Sequence, residues 1–220
     1  MIEGIFFSTF GVLYKRTELT EHYARRLLKE RGLVAELSAE DEARRVTWAE
    51  KAAGGQINAQ TYWNEYFKMY GVATSGERTD LVGKIMEQVH RVVEVIGARE
   101  TVKTLKERGF ILGIITATMY PLEWKMSWLA KAGVAEFIEV VACSSALGAQ
   151  KSQPPLYWIA LNKAGLTPRQ AACVSHTGKE LDGARQVGMA TVAVLYEPGV
   201  KADYYAQTLP DLLNVPIFQR

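Results

Sequence analysis

The sequence predicts an α/β protein built on a mainly parallel sheet, with a helical insertion after the first strand. Three observations lead there. Short runs rich in Val and Ile, apolar on both faces, recur along the 220-residue chain, as strands do when helices cover both sides of a sheet. Helical patterns with clear ends separate these runs, and such alternation with short links gives right-handed crossovers. Finally, the stretch from Tyr14 to about Gly97 carries helical patterns and no convincing strand.

The elements follow in order. Gly4 to Phe7 (GIFF) reads as the first strand. Within the insertion, Thr20 is positioned to cap Glu21 to Arg31, and Ser38 with Asp41 forms an S-x-x-D capping box. Asn58 is positioned to cap Thr61 to Tyr70, and an amphipathic run covers Asp80 to Val95. Arg99 to Arg108 is a helix ending at Gly109, followed by the strand Ile111 to Thr116. Leu122 to Lys131 is a helix rich in Trp and Leu that ends at Gly133, followed by the strand Phe137 to Cys143. Pro154 and Pro155 open a helix that ends at Gly165; Thr167-Pro168 marks a turn or a short helix start. The strands Ala171 to Ser175 and Thr191 to Leu195 complete the pattern.

Composition narrows the function classes. The net charge of +2, with acids and bases balanced across the insertion, offers no polyanion surface and argues against nucleic-acid binding. No apolar run approaches a membrane span, and the N-terminal stretch does not have the form of a signal peptide. The two cysteines, Cys143 and Cys173, end apolar runs and stand outside any C-x-x-C pair. They read as buried free thiols suited to a reducing cytoplasm. The aromatics of the insertion, Trp48, Tyr62, Trp63, Tyr66, Phe67 and Tyr70, recur at helical spacing and read chiefly as its packing. Trp124, Trp128 and Trp158 read as packing of the core helices.

In open parallel sheets ligands bind outside the carboxyl ends of the strands, where strand order reverses. The polar residues there are Ser8-Thr9, Thr116-Ala117-Thr118 and Ser175-His176-Thr177, with Lys151 in the loop after the third strand.

Ser8-Thr9-Phe10-Gly11-Val12-Leu13 stands where one family carries D-x-D-G-T/V-L. Thr116 after ILGII, Lys151 before Ser152-Gln153-Pro154, and the run from Ser175 to Ala184 followed by Gly188-Met189 match three further motifs in order. The sequence therefore resembles the haloacid dehalogenase (HAD) superfamily, in its subgroup with a helical cap after the first strand. The resemblance implies a Rossmann-like three-layer core over residues 1–13 and 98–220, and a cap over 14–97. It also implies Mg²⁺-assisted chemistry at an aspartate nucleophile.

The departures shape the functional expectation. The nucleophile position is Ser8, the acid/base position is Phe10, and the first acid of the last motif is His176; Glu180 survives as a carboxylate. Mg²⁺ favours oxygen ligands, usually with one or two carboxylates, so its binding is expected to be lost or weak, and no other cofactor is implied. Ser8 excludes aspartyl-ester chemistry by residue type. The expectation is a protein that has lost this chemistry and binds a small anionic molecule or a protein partner. Thr9, Phe10, Thr116, Ala117, Lys151 and Ser175 are the candidate ligand-binding residues. The alternative is a metal-independent ester or lactone hydrolase in which His176, oriented by Glu180, activates Ser8. Against that alternative stands the reading of Ser8 and His176 as drifted remnants; on a third reading, activity of the ancestral type persists through other residues, although Asp182, the nearby spare acid, has the wrong spacing.

Overall fold

The structure is a computed structural model describing residues 1–33, 36–144 and 154–219. Lys151 lies outside the described residues. In chain order the first elements are β1 (Gly4–Phe7), β2 (Tyr14–Arg16), α1 (Thr20–Lys29), α2 (Ala39–Ala53), α3 (Ala59–Met69), α4 (Ser75–Gln88) and β3 (Val92–Glu94). They are followed by α5 (Ala98–Glu107), β4 (Ile111–Thr116), α6 (Leu122–Lys131), β5 (Val140–Cys143), α7 (Pro154–Ala164), β6 (Ala171–Ser175), α8 (Gly178–Gln186), β7 (Ala190–Val194) and β8 (Tyr204–Ala206).

Six strands form one parallel sheet in the order β5-β4-β1-β6-β7-β8. The chain begins in the middle, builds outward through β4 and β5, then returns to the other side of β1. Strand order thus reverses at β1, which pairs Phe7 with Ile114 of β4 and with Val174 of β6. All four residues of β1 are buried. Alternation sends Ile5 and Phe7 into a core shared with α5 and α6, and Phe6 into a second core against α7 and α8. Close packing on that second face requires Gly113 on β4, where a Cβ would stand 2.7 Å from the Phe6 ring. Cys143 and Cys173 are buried thiols, as expected.

The insertion differs from expectation in its strands, in the bounds of its last helix and in one cap. Tyr14–Arg16 and Val92–Glu94 pair antiparallel, Tyr14 with Glu94 and Arg16 with Val92, forming a two-stranded ribbon where the chain leaves and re-enters the core. The last helical run accordingly starts and stops earlier than read: Thr74 caps it, accepting from the Glu77 amide at 3.3 Å, and it ends at Gln88. The other caps form. Ser38 Oγ accepts from the Asp41 amide at 3.0 Å, and Asn58 Oδ1 from the Thr61 amide at 2.9 Å. The expected cap at Thr20 does not form, because Thr20 is already the first helical residue and Leu19 precedes it. Tyr62, Trp63, Tyr66, Phe67 and Tyr70 are buried. Trp63 donates its indole N–H to Tyr120 Oη at 3.2 Å, tying α3 to the loop after β4. Trp158 is 44% exposed and is not core packing.

Candidate active site

The carboxyl ends of β1, β4 and β6 lie side by side, bringing Ser8, Thr9, Thr116 and Ser175 together, all buried. The two sides of β1 are built differently.

On the β4 side, Thr9 Oγ1 and Thr116 Oγ1 are hydrogen-bonded at 3.1 Å. Beside them Lys125, on α6 and 4% exposed, donates to Thr9 Oγ1 at 3.3 Å and to Tyr14 Oη at 2.9 Å. Its ammonium also lies 5.5 Å from the ring centroids of Tyr14 and Trp128. Burying an ammonium costs several kcal/mol, roughly, and these oxygens and ring faces offset part of that cost. Burial pushes the Tyr14 hydroxyl up to about 12, against the opposing pull of the Arg16 charge. Tyr14 is therefore a neutral phenol at physiological pH.

The turn after β1 curls around the Thr9 carbonyl, which accepts from the amides of Val12, Leu13 and Tyr14 at 3.3, 2.8 and 3.2 Å. Gly11 makes this turn at φ +79°, a region that glycine enters without steric cost. Among the described residues, the amides of Thr9, Phe10 and Ala117 donate to no acceptor. These three N–H groups stand at the ends of adjacent strands, as does the Thr116 hydroxyl, and successive unpaired amides of this kind are where proteins accept anions.

On the β6 side the groups are engaged with one another. Ser175 Oγ donates to a Glu180 carboxylate oxygen and accepts from the Thr177 amide at 3.2 Å. Tyr157 Oη donates to the Glu180 carbonyl at 2.6 Å. The His176 ring lies flat against the turn after β1, so close that a Cβ on Gly11 would stand 2.9 Å from it. The amide of Ser8 donates to the Val174 carbonyl at 2.8 Å. The carboxylate that the sequence reading assigned to orient His176 is thus engaged by Ser175 in the first turn of α8.

Sequence reasoning missed Lys125 and Tyr14. A signal existed: Lys125 falls three and four residues before Trp128 and Leu129, on the buried face of α6. Trp124, read as packing, also lines a cavity of ≈240 Å³ between the α3 start and the loop after β4, together with Asn58, Met86, Met119 and Tyr120. The Mg²⁺ ion implied by the resemblance does not fit the described residues. No group of three or more His, Cys, Asp or Glu stands together among them, and the Glu180 carboxylate is already hydrogen-bonded.

Open parallel α/β sheets take ligands at the carboxyl edge beside the switch strand, which is where this fold gathers its donors. The model of the haloacid dehalogenase-like hydrolases matches residues 9–194. The chain belongs to that family. It is 26% identical over 206 residues to a glyceraldehyde 3-phosphate phosphatase of Methanopyrus kandleri, covering 88% of this chain and 84% of the relative. It is 28% identical over 157 residues to a phosphoglycolate phosphatase of Haemophilus influenzae, covering 70% and 63%. A 2-haloacid dehalogenase of Pseudomonas syringae shares the fold with a TM-score of 0.68 at 19% identity, covering 97% of each chain.

These relatives correct the functional expectation. Curated relatives along most of the chain are named phosphatases, which overturns both the catalytically lost binder and the ester or lactone hydrolase at Ser8 and His176. An expectation built on missing acids alone leaves the rest of the site out of account. It gives too little weight to the backbone amides and the Thr116 hydroxyl, which stand independently of those acids. Among the described residues, no helix is long and apolar enough to cross a membrane.

Proposed function

We propose that the chain is a phosphatase acting on a small phosphorylated substrate, with the phosphoryl group seated at the carboxyl ends of β1 and β4. One observation carries this reading: the amides of Thr9, Phe10 and Ala117 have no acceptor among the described residues and stand at the same strand ends as the Thr116 hydroxyl, whose partner Thr9 accepts from a buried ammonium. Catalysis of phosphoryl transfer is almost entirely positioning and electrostatic stabilisation. Donors fixed in a water-poor site supply both, because they need no reorganisation as charge develops on the phosphoryl oxygens. Water attacks phosphorus, the bond from phosphorus to the substrate oxygen breaks, and a proton of that water passes to the departing alkoxide, leaving an alcohol and inorganic phosphate. The names of the curated relatives support the same class of reaction. The buried thiols Cys143 and Cys173 suit a reducing compartment such as the cytoplasm.

Inorganic phosphate release from a panel including glyceraldehyde 3-phosphate, phosphoglycolate and pyrophosphate tests the proposal. Turnover of at least one substrate above a heat-inactivated control, lowered about 100-fold in Thr116→Val, is expected. Release of halide from a 2-haloacid with no phosphate release from any member would overturn it.

A further inference from the structure

We propose that Lys125 is a positioning residue that sets the direction of a buried hydroxyl chain, so that Thr116 presents its O–H hydrogen to the bound phosphoryl group. The inference rests on the phosphatase reading for the identity of the anion. An ammonium group can only donate, whereas a hydroxyl both donates and accepts. Lys125 therefore occupies a lone pair of Thr9 Oγ1 at 3.3 Å and of Tyr14 Oη at 2.9 Å. The 3.1 Å contact between Thr9 and Thr116 has two directions. If Thr116 donates inward, its hydrogen is unavailable to a ligand. If Thr9 donates outward, the Thr116 hydrogen is left for an acceptor at the strand ends.

A positive charge at the inner end favours the outward direction, since each O–H dipole then points its negative end toward the ammonium. Each bond in such a relay polarises the next. The relay is sealed: Thr9 and Thr116 are each 1% exposed and Lys125 4% exposed. Water is thus kept from reorienting the hydroxyls. The ammonium is held by the Tyr14 and Trp128 rings as well as by the two oxygens. An anion at the carboxyl ends of β1 and β4 thus meets a donor whose direction is fixed before it arrives.

Titration calorimetry of the full chain with inorganic phosphate tests this. Lys125→Met and Thr9→Val should each weaken phosphate binding about tenfold, the scale of one charge-assisted hydrogen bond. Thr9→Ser, which keeps the hydroxyl, should bind as wild type does. Lys125→Met added to Thr116→Val should bind no more weakly than Thr116→Val alone, because a relay fails once. An unchanged affinity in Lys125→Met, or two effects that multiply, overturns the proposal. Should Lys125→Met not fold, the contrast between Thr9→Val and Thr9→Ser decides, and equal affinities overturn it. Wild-type turnover with unchanged Lys125→Met affinity overturns the relay alone. Wild-type phosphate binding without turnover of any phosphorylated substrate overturns the phosphatase reading alone. No phosphate binding by wild type overturns both.

Discussion

The two flanks of β1 contain similar residue types and treat them in opposite ways. On the β4 flank a cation stands at one end of a chain that runs through Thr9 to Thr116. On the β6 flank the carboxylate of Glu180 collects the Ser175 hydroxyl, which in turn accepts from the Thr177 amide. A buried cation turns hydroxyls into donors facing outward, whereas a carboxylate draws their hydrogens toward itself. On the proposed reading an anionic substrate is received on the β4 flank and met by negative charge on the β6 flank. The sign of the group at the inner end, more than the number of hydroxyls, decides where a phosphoryl group can sit.

The largest expected effect comes from the receiving flank. Thr116→Val removes a hydroxyl at nearly constant shape and should lower kcat/KM for the best phosphorylated substrate by about 100-fold, as loss of one preorganised donor does. A loss under threefold would break the comparison. Next, Gly11→Ala places a methyl group 2.9 Å from the His176 ring at a backbone angle of +79°. It should cost about 2 kcal/mol of stability, read by denaturant unfolding. The unchanged stability of such a variant would show that the turn and the ring are not in contact. On the opposing flank Glu180→Gln should leave phosphate affinity equal to wild type or tighter, since it removes a negative charge. A tenfold weakening in calorimetry would assign the anion to the wrong flank.

The smallest effect is on pH dependence, outside both flanks. His90 Nδ1 accepts from the Trp128 indole N–H at 3.1 Å, which requires the neutral ring. Burial, then the charges of Lys131 and Arg16, hold its pKa below the usual histidine value. The unfolded chain then takes up the proton first as pH falls, so this contribution is present above about 6.5 and is lost as pH falls through the lower folded value. Thermal melts between pH 7.5 and 5 should show a smaller decline in His90→Gln than in wild type. Parallel declines would remove His90 from the account.

Much of the core could be read from the sequence, because its strands are short, doubly apolar runs and its helices end at Gly109, Gly133 and Gly165. The strand ends that carry Ser8, Thr116 and Ser175 could be read from those runs, whereas the neighbourhood of β1 and β6 came with the family resemblance and the reversal at β1 with the fold. The ribbon of Tyr14–Arg16 with Val92–Glu94 did not, since three residues are too few to show a period of two, and β8 escaped for the same reason. Lys125 was hidden by its type: a lone lysine on a helix reads as a solvated side chain, and its burial depends on partners 111 and 116 residues away in sequence. Charge reasoning misjudged the site for a related cause. Replacing acids at positions 8, 10 and 176 is visible in the sequence, whereas a cation and backbone amides that can receive a phosphoryl group are visible only after folding.

The most direct test of the phosphoryl seat is a titration of the ¹⁵N-labelled chain with inorganic phosphate, followed amide by amide. The account predicts that the largest saturable shifts fall on Thr9, Phe10 and Ala117 and that they shrink in Thr116→Val. Saturable shifts centred instead on Thr177 and Gly178, or none at the β1 and β4 ends, would contradict it.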